Sequence, residues 1–220
     1  MRVIALIPAY NEATTIAEVI KRTKPFVDRV IVIDDGSSDE TKKIAKESGA
    51  YVVSHSMNRG LGAAIGTGME VAKRLNADVA VTLDADGQHD PSEIPRFVDA
   101  LEEGAEMVVG SRMLTRTGMP WYRQVANFLG NIVTFILFGM WVTDSQSGFR
   151  AFSRRALEQI EVRTNRMEVS SELIAQAKQK RLRFAEIPIR AIYTTYSLSK
   201  GQNFFVGLKT LGKLVLRRFM

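Results

Sequence analysis

Short apolar runs alternate with stretches of helical periodicity through the first half of this 220-residue chain. Each apolar run has the length of a strand, and each stretch between two runs is long enough for a helix. The pattern predicts strands at 3–7, 29–33, 50–53, 79–83 and 107–109, and helices near 12–24, 39–48, 61–75 and 92–103. Such alternation indicates an α/β domain with a mostly parallel sheet flanked by helices.

The second half follows a different pattern. A very apolar helical stretch covers 121–142, and its longest apolar run, at 132–142, is shorter than the ~20 residues that a membrane span needs. No transmembrane span is therefore predicted. A polar loop at 143–152, a helix at 170–180 and a strand at 183–193 are predicted to follow.

The end of the chain places apolar residues along one side of a helix and basic residues along another. This pattern is typical of a basic amphipathic helix. We therefore predict one domain over residues 1–203 and a C-terminal basic amphipathic helix over 204–220.

The formal net charge is +6, and the positive residues collect in the second half of the chain. A basic half indicates an anionic partner, which could be phosphate, a membrane surface or nucleic acid. Nucleic acid is not predicted, because the sequence has no RNA-binding motif or aromatic platform. The chain has no cysteine, which excludes disulfides and thiolate metal sites.

Polar residues follow four of the predicted strands, in the segments PAYNE, DDGSSD, DADGQ and GSR. In open α/β sheets, ligands bind outside the carboxyl ends of the strands. Four polar turns at one edge therefore predict a single shared site.

Two segments have both a ligand-binding and a structural interpretation. In DDGSSDET, Asp34 and Asp35 could accept hydrogen bonds from a base or ribose, while Ser38 or Asp39 could simply cap the following helix. In NRGLGAAIGTG, at 58–68, amides at a helix N-terminus could attract phosphate, but close helix packing also needs glycine. The second segment lacks the GK[ST] ending of a P-loop, which disfavours an ATPase.

The segment DADGQ has three interpretations. Asp84, Asp86 and Gln88 could bind a hard divalent cation, Mg²⁺ or Mn²⁺, that bridges the two phosphates of a nucleotide. The segment is also similar to the DxDG motif of haloacid-dehalogenase-type phosphatases, although that family has threonine after the glycine and places the motif on its first strand. The third interpretation is a solvated acidic turn.

Taken in order, PAYNE, DDGSSD, NRGLGAA, DADGQ, GSR and DSQSGFRAF resemble the motifs of family 2 glycosyltransferases of the GT-A fold. The resemblance is closer to the branch that contains dolichyl-phosphate mannose and polyprenyl-phosphate glucose synthases. It covers residues 2–203 and implies a Rossmann-like GT-A sheet flanked by helices, with an amphipathic helix region at the membrane interface.

The resemblance implies a role for residues in each motif. Those implied to bind the nucleotide sugar are Pro8, Tyr10, Asn11, Glu12, Asp34, Asp35, Asn58, Gly60, Asp84, Ala85, Asp86, Ser199 and Lys200. Those implied to bind Mg²⁺ or Mn²⁺ are Asp84, Asp86 and Gln88. Those implied to face the acceptor phosphate are Arg112, Arg123, Asn127, Ser147 and Arg150. Asp86, Arg112 and Arg123 are implied to be catalytic.

The implied reaction is an inverting transfer of a sugar to a dolichyl or polyprenyl phosphate. A phosphate monoester has a second pKa of about 6, so it is largely dianionic near neutral pH and can attack without a general base. Mannose synthases usually have serine where this chain has Asn127, which leaves the sugar open. GDP-mannose is the first choice, followed by UDP-glucose and UDP-N-acetylglucosamine. The alternatives are transfer to a soluble saccharide or protein, and a non-catalytic nucleotide-sugar sensor.

The expected location is the cytoplasmic face of a membrane, as a peripheral protein. The apolar stretch at 121–142 could lie in the lipid interface, although a buried core helix has the same pattern. The C-terminal helix could add attraction to an anionic surface or dock on a small membrane partner subunit.

Overall fold

The computed structural model describes residues 1–115, 121–190 and 192. The predicted C-terminal helix at 204–220 lies outside these residues, and so does the domain boundary placed after residue 203.

Within the described residues, a seven-stranded sheet forms the centre of the fold. Its strands are β1 (Val3–Ala9), β2 (Arg29–Asp34), β3 (Tyr51–Ser54), β4 (Val79–Thr82), β5 (Met107–Ser111), β6 (Arg150–Ser153) and β7 (Phe184–Pro188). Their order across the sheet is β3-β2-β1-β4-β6-β5-β7, and only β6 runs antiparallel to its neighbours. The mostly parallel sheet predicted from the sequence is confirmed.

Helices cover both sides of this sheet. They are α1 (Ile16–Thr23), α2 (Thr41–Glu47), α3 (Leu61–Arg74), α4 (Ile94–Glu102), α5 (Trp121–Phe138), α6 (Arg154–Gln159) and α7 (Val169–Gln179). Alternate residues of β1 enter two cores: Ile7 packs with residues of α1 and α4, whereas Leu6 packs with residues of α3 and α7. Because both sides of the sheet are buried, its central strands read as continuous apolar runs.

The predicted polar loop at 143–152 is wrong at its end, because residues 150–153 form β6. This strand has only four residues and directly follows a polar segment, so its apolar signal is too short to identify. Helix α6 begins directly after it, where Ser153 Oγ accepts a hydrogen bond from the amide of Ala156 at 3.2 Å.

Helix α5 ends at Phe138, four residues before the predicted end. Gly139 follows it with φ of +67°, and its amide donates to the carbonyl of Phe135 at 2.6 Å. Glycine adopts this left-handed conformation without steric cost, which ends the helix here. No helix among the described residues is both long enough and apolar enough to span a bilayer.

The direction of β6 decides which loops share an edge of the sheet. Its first residue, Arg150, pairs with Thr82 at the end of β4 and with Val109 near the end of β5. The loop before β6 therefore meets the carboxyl ends of the parallel strands. This is the edge at which the sequence places the candidate site.

Candidate active site

The loops that follow β1 and β2 are joined by hydrogen bonds. The amide of Asn11 donates to Ser37 Oγ at 3.0 Å, and the amide of Ser38 donates to Asn11 Oδ1 at 2.9 Å. The amide of Glu12 donates to Thr41 Oγ1 at 2.8 Å. Asn11 has φ of +54°, in the left-handed region that asparagine tolerates better than most residues. The PAYNE and DDGSSD segments therefore form one wall of the site.

Asp39 holds both loops of this wall. It accepts a hydrogen bond from the amide of Thr41, the first residue of α2, at 3.0 Å. It also accepts one from the amide of Ala13 at 3.2 Å. Beside this wall, Pro8 lies in β1 and Tyr10 follows the strand with its side chain exposed.

Asp34 and Asp35 are both buried at the end of β2. Asp34 Oδ1 accepts a hydrogen bond from the amide of Ser37 at 3.1 Å. The Asp35 carboxylate accepts from the amides of Arg59 and Gly60, at 2.9 and 2.7 Å. Asp35 therefore fixes the loop between β3 and α3, and its contact with a nucleotide stays a prediction.

His55 is a residue of this region to which the sequence assigned no role. Its Nδ1 lies 2.6 Å from Asp35 Oδ1, and its Nε2 lies 2.9 Å from Thr67 Oγ1 on α3. A carboxylate only accepts hydrogen bonds, so Nδ1 carries the proton. His55 therefore ties β2 to α3 beneath the predicted nucleotide site.

The glycine-rich segment at 58–68 serves close packing. A Cβ atom on Gly62 would lie 2.0 Å from the carbonyl oxygen of Thr164, and one on Gly60 would lie 2.3 Å from that of Asn165. The carbonyl of Asn165 also accepts a hydrogen bond from the amide of Ala63 at 3.2 Å. Because this carbonyl lies at the N-terminus of α3, the structure supports the packing interpretation of the segment, and the contact of Gly60 with a nucleotide sugar stays a prediction. Asn58 packs its backbone against Gly36 instead, so its contact with a nucleotide stays a prediction.

The acidic turn, residues 84–88, follows β4. Asp86 accepts hydrogen bonds from the amide of Gln88 at 3.0 Å and from its side-chain Nε2. The amide of Asp84 donates to His89 Nδ1 at 3.1 Å, while Ala85 is buried beneath the turn. Gly87 has φ of +77°, which allows the chain to reverse here. The turn therefore brings the three predicted metal-binding side chains together.

Burial changes the ionisation of this turn. It raises the pKa of Asp84, and the nearby charges of Arg112 and Arg150 oppose that effect. Burial, together with the negative charge of Asp84, raises the pKa of Asp86. Burial also lowers the pKa of His89 to about 4, so this imidazole is neutral near pH 7.

The acidic turn fits a hard divalent cation. Two carboxylates whose ionised forms are disfavoured by burial and by each other gain from a cation placed between them. The described residues contain no cluster of three His, Cys, Asp or Glu side chains that could hold a metal ion. A cation at this turn would therefore rest on two carboxylates and the Gln88 amide, as Mg²⁺ often does when water and substrate phosphate supply its other ligands.

The loop before β6, residues 143–149, lies directly against the acidic turn. A Cβ atom on Gly148 would lie 2.2 Å from Asp84 Oδ1 and 2.6 Å from Oδ2. Thr82 Oγ1 donates to the carbonyl of Gly148 at 2.7 Å. Glycine is therefore required at this position for Asp84 to keep its place.

Arg112 follows β5 and forms a two-bonded ion pair with Asp144. Its Nε and Nη2 donate to the two carboxylate oxygens at 2.7 and 2.8 Å, and its amide donates at 3.0 Å. Asp144 is fully buried, and Asn127 on α5 approaches it at 3.4 Å. The acceptor-phosphate roles of Arg112 and Asn127 stay predictions, but the structure brings both to one point.

Glu186 on β7 holds the start of the same loop. Its carboxylate accepts hydrogen bonds from the amide of Thr143 at 2.9 Å and from Thr143 Oγ1 at 2.8 Å. Burial raises the pKa of Glu186. Sequence reasoning missed this residue, although a single glutamate inside an otherwise apolar strand is a usable signal.

Ser147, in the loop before β6, and Arg150, directly after it, are both buried rather than presented at the surface. Arg150 is 1% exposed, and its Nη2 donates to the carbonyl of Ser145 at 3.2 Å. Burial lowers the pKa of Arg150 to about 10, so it remains a cation at neutral pH. Its Nε is buried without a hydrogen-bond partner in the described part of the chain. The predicted contact of these two residues with an acceptor phosphate stays a prediction.

Helix α5 has its polar face toward the protein and an apolar face toward solvent. On the inner face, Asn131 Oδ1 accepts from the amide of Ser145 at 3.0 Å, and Thr134 Oγ1 lies 3.3 Å from Ser171 Oγ. The exposed apolar residues of this region, which we call the apolar face, are Val125, Phe128, Leu129, Phe135, Ile136 and Trp141. The core-helix interpretation of this stretch is therefore wrong. The side chain of Arg123 lies outside the described part of the structure.

The segment after β7 crosses the acidic turn. The amide of Ile192 donates to the carbonyl of Gln88 at 2.8 Å, and the amide of Ile189 donates to the carbonyl of Ser111 at 3.1 Å. Ser199 and Lys200, the predicted donor contacts of the C-terminal loop, lie outside the described residues.

Comparison with known proteins agrees with this geometry. Residues 4–161 match the model of the family described as Glycosyl transferase family 2. A UDP-N-acetylglucosamine–dolichyl-phosphate N-acetylglucosaminyltransferase of Methanococcus voltae is 38% identical, over 96% of this chain and 94% of that protein. A polyprenol monophosphomannose synthase of Mycolicibacterium smegmatis is 34% identical, over 73% of this chain and 65% of that protein.

A solved structure extends the match to the fold. Glucosyl-3-phosphoglycerate synthase of Mycobacterium tuberculosis, in complex with Mn²⁺ and UDP-glucose, has a TM-score of 0.75 and 25% sequence identity, and the match covers 99% of this chain and 78% of that one. The resemblance noted from the six motifs and the expected GT-A fold are both confirmed. The chain is a glycosyltransferase, and it belongs to glycosyl transferase family 2.

Proposed function

We propose that this chain transfers a sugar from a nucleoside diphosphate sugar to a polyprenyl phosphate at a membrane surface, with inversion at the sugar carbon. The observation that carries the proposal is the contact between the acidic turn and the loop before β6, where Gly148 lies against Asp84. This contact sets the acidic turn, which we assign to the diphosphate, beside a loop whose Asp144 pairs with Arg112 and which leads into Arg150, the first residue of β6. The names of the two relatives support the acceptor class.

A divalent cation, Mg²⁺ or Mn²⁺, belongs to this proposal. Asp84, Asp86 and Gln88 would hold it, and the raised pKa of both carboxylates supports this assignment. When bound, such a cation stabilises the negative charge that develops on a leaving diphosphate. The Mn²⁺ and UDP-glucose in the related solved structure also support it.

The donor nucleotide is proposed to lie between the wall formed by PAYNE and DDGSSD and the acidic turn. Tyr10, which is exposed beside this wall, and Asp34 are the residues we expect to contact the nucleoside. The chain after β7 passes over Gln88, which supports a donor-phosphate role for Ser199 and Lys200.

The acceptor phosphate needs to be positioned rather than activated. A dianionic phosphate can attack the sugar carbon without losing a proton, so the site requires no general base. His89 is buried and neutral, which agrees with its having no part in proton transfer. Arg112 and Arg123 are proposed to hold the acceptor phosphate.

The sugar is proposed from the relatives. The N-acetylglucosaminyltransferase matches nearly the whole chain, whereas the mannose synthase matches a shorter part with lower identity. We therefore place UDP-N-acetylglucosamine ahead of GDP-mannose, the first choice from the motifs, and keep UDP-glucose as a third donor.

The apolar face of α5 supports a site at a membrane. Its aromatic residues form one cluster, in which Trp141 lies 6.3 Å from Phe128 and 5.8 Å from Phe135 between ring centroids. Lys178 donates to the carbonyl of Gly139 at 2.6 Å, which places a basic residue at the end of this face. Aromatic side chains beside lysine are typical of an interfacial helix. The cytoplasmic side and a membrane partner subunit remain part of the proposal from the motifs.

The experiment is a transfer assay with the three radiolabelled donors, a polyprenyl phosphate, and either Mn²⁺ or a chelator. We expect label in the lipid fraction from one donor, and only with metal. Asp86→Ala should lower turnover by a factor on the order of 100 to 1000, because the leaving diphosphate loses its stabilisation. Asp99→Asn, which changes an exposed carboxylate on α4, is the control and should retain full turnover.

Transfer to a soluble acceptor is the second candidate, because the related solved structure is a glucosyl-3-phosphoglycerate synthase. It predicts label in a water-soluble product and none in lipid. If Asp86→Ala keeps its activity, the metal assignment is wrong whichever acceptor is used.

A further inference from the structure

Asp144 makes more hydrogen bonds than any step of the proposed reaction explains. Its buried carboxylate accepts three bonds from Arg112, at 2.7, 2.8 and 3.0 Å, and one from Asn127 Nδ2 at 3.4 Å. A buried carboxylate with this many donors is held in one orientation. It therefore determines where the groups around it can lie.

We propose that Asp144 is a positioning residue for Arg112 and that Asn127 anchors this pair to α5. The inference rests on the proposed function, in which Arg112 receives the acceptor phosphate. Asp144 itself touches no substrate in this proposal.

The first reason is the geometry of the arginine fork. A free arginine side chain samples many rotamers, and a two-bonded pair removes that freedom before the ligand arrives. The pair with Asp144 takes the Nε–Nη2 edge of Arg112. A phosphate would then meet a guanidinium whose plane Asp144 has already set.

The second reason is that the loop around Asp144 is held on both sides. Glu186 of β7 accepts a hydrogen bond from the amide of Thr143 at 2.9 Å, and Asn131 of α5 accepts one from the amide of Ser145 at 3.0 Å. The residues immediately before and after Asp144 are therefore tied to a strand and to a helix. The orientation of Arg112 depends on both elements.

The third reason is the balance of charge. Asp144 alone would weaken the attraction of Arg112 for a phosphate, because it neutralises the guanidinium. Arg150 supplies a second guanidinium beneath the same loop, where it donates to the carbonyl of Ser145 at 3.2 Å. Arg150 thereby offsets the negative charge of Asp144, while Glu186 and Asp84 are further carboxylates against the same loop.

Asn127 connects this arrangement to helix α5. It lies on the inner face of α5, four residues after Arg123, and reaches Asp144 across the loop. Helix α5, whose outer face is apolar, thus contacts Asp144, the residue that orients Arg112. We infer that Asn127 helps to set the distance between α5 and the acceptor phosphate that Arg112 receives.

The test separates the Michaelis constants of the two substrates. Asp144→Asn removes the negative charge and half of the acceptor capacity, and should raise the KM for polyprenyl phosphate on the order of tenfold, while the KM for the donor stays within about twofold. Asn127→Ala keeps the buried ion pair and should raise the same constant by about two- to fivefold. Gly130→Ala is the helix control, because the nearest atom that the described residues outside this helix bring to the added Cβ is Gln146 Cγ at 3.9 Å, and it should change neither constant.

An Arg112→Ala background identifies the route of the effect. If Asp144 acts through Arg112, Asp144→Asn should have no further effect on the acceptor constant in that background. An additive effect there, or an unchanged acceptor constant in both Asp144→Asn and Asn127→Ala, would overturn the inference. Asn127→Ala decides the question if Asp144→Asn does not fold. A wild-type protein that transfers no sugar to polyprenyl phosphate would instead overturn the proposed function, and this inference with it.

Discussion

Gly148 shows how closely the two halves of the site approach each other. Any side chain there would place a Cβ atom 2.2 Å from Asp84 Oδ1, which is shorter than any contact between non-bonded heavy atoms. The backbone of the loop before β6 therefore forms one side of the space around Asp84. A carboxylate that is bounded on one side in this way has fewer orientations to lose when a cation binds.

Glu106 illustrates a buried carboxylate with a purely structural role, at the opposite end of β5. It accepts hydrogen bonds from the amide of Arg183 and from Arg155 Nη1, both at 2.8 Å. The hydrogen bond from the Arg183 amide is the main cause that lowers the pKa of Glu106 below the ordinary 4.5. Its ionised form therefore stabilises the folded chain above pH 4.5, and that stabilisation is lost as the pH falls through the lowered pKa.

We predict that Glu106→Gln lowers the free energy of unfolding at neutral pH by about 1–3 kcal/mol. The difference from wild type should shrink as the pH falls below 4.5, because the wild-type carboxyl then also becomes neutral. Urea unfolding at several pH values measures both effects. Glu103→Gln, at an exposed position of the same region, should change the free energy by less than about 0.5 kcal/mol. A difference that is constant with pH would contradict the assignment.

At the scale of elements, α3 owes its position to the glycines Gly60 and Gly62 at its start. Gly62 lies where a Cβ would meet the Thr164 carbonyl at 2.0 Å, and Glu172 of α7 fixes that segment by accepting from the amide of Thr164 at 2.9 Å. Because the opposing atoms are backbone, they cannot move aside as a flexible side chain could. Helix α3 and helix α7 are therefore joined through one short segment.

We predict that Gly62→Ala destabilises the protein despite its better helix propensity. Alanine gains about 0.5–1 kcal/mol over glycine inside a helix, whereas overpacking costs about 1–3 kcal/mol. The net loss should be visible as a lower midpoint in thermal unfolding. Gly130→Ala makes the same change in α5, where no described atom from outside the helix lies closer than 3.9 Å, and should raise the midpoint. Equal shifts of the two variants would show that propensity alone decides.

The sequence predicts the elements of the first half well, because their apolar runs are separated by long helical patterns. It fails at β6, where the signal is four residues long. It also could not determine which face of α5 is buried. Asn127, Asn131 and Thr134 form a polar stripe that would face water in an ordinary amphipathic helix, but here the loop at 143–145 and Ser171 offer polar partners. Such partners come from distant parts of the chain and leave no local pattern.

The site itself was predictable as a set of motifs but not as a set of contacts. The strand ends place the acidic turn and Arg112 at one edge, as the alternation of elements indicates. The pairing of Arg112 with Asp144 depends on the reversed direction of β6. His55 and Glu186 were missed because their partners lie 20 and 43 residues away.

At the scale of the whole molecule, one surface differs from the rest. Most large apolar side chains of the described residues are buried in two cores, whereas Phe128, Phe135 and Ile136 of α5 are about half or more exposed, with Ile136 at 72%. An apolar patch of this kind marks an interaction surface. The patch lies on the side of α5 away from the loop at 143–149, which agrees with a lipid acceptor that approaches from outside this helix.

We predict that replacing Phe135 and Ile136 together by serine weakens binding to anionic phospholipid vesicles by about tenfold or more. Burying one such side chain contributes about 1.5–3 kcal/mol, and 1.4 kcal/mol corresponds to tenfold. A vesicle sedimentation assay measures the effect. Tyr51→Thr removes an equally exposed ring from β3, at the end of the sheet opposite β7, and should bind vesicles like wild type. Unchanged binding by the double variant would exclude α5 as the membrane contact.

The reversed strand β6 also fixes the distance between two segments of the site where they leave the sheet. It is hydrogen-bonded to β4, so the turn assigned to the donor follows one strand and the loop assigned to the acceptor precedes its neighbour. Neighbouring strands lie about 4.8 Å apart in every sheet, whatever side chains they carry. The spacing at which these two segments leave the sheet is therefore set by backbone hydrogen bonds, which substitutions of core side chains leave in place.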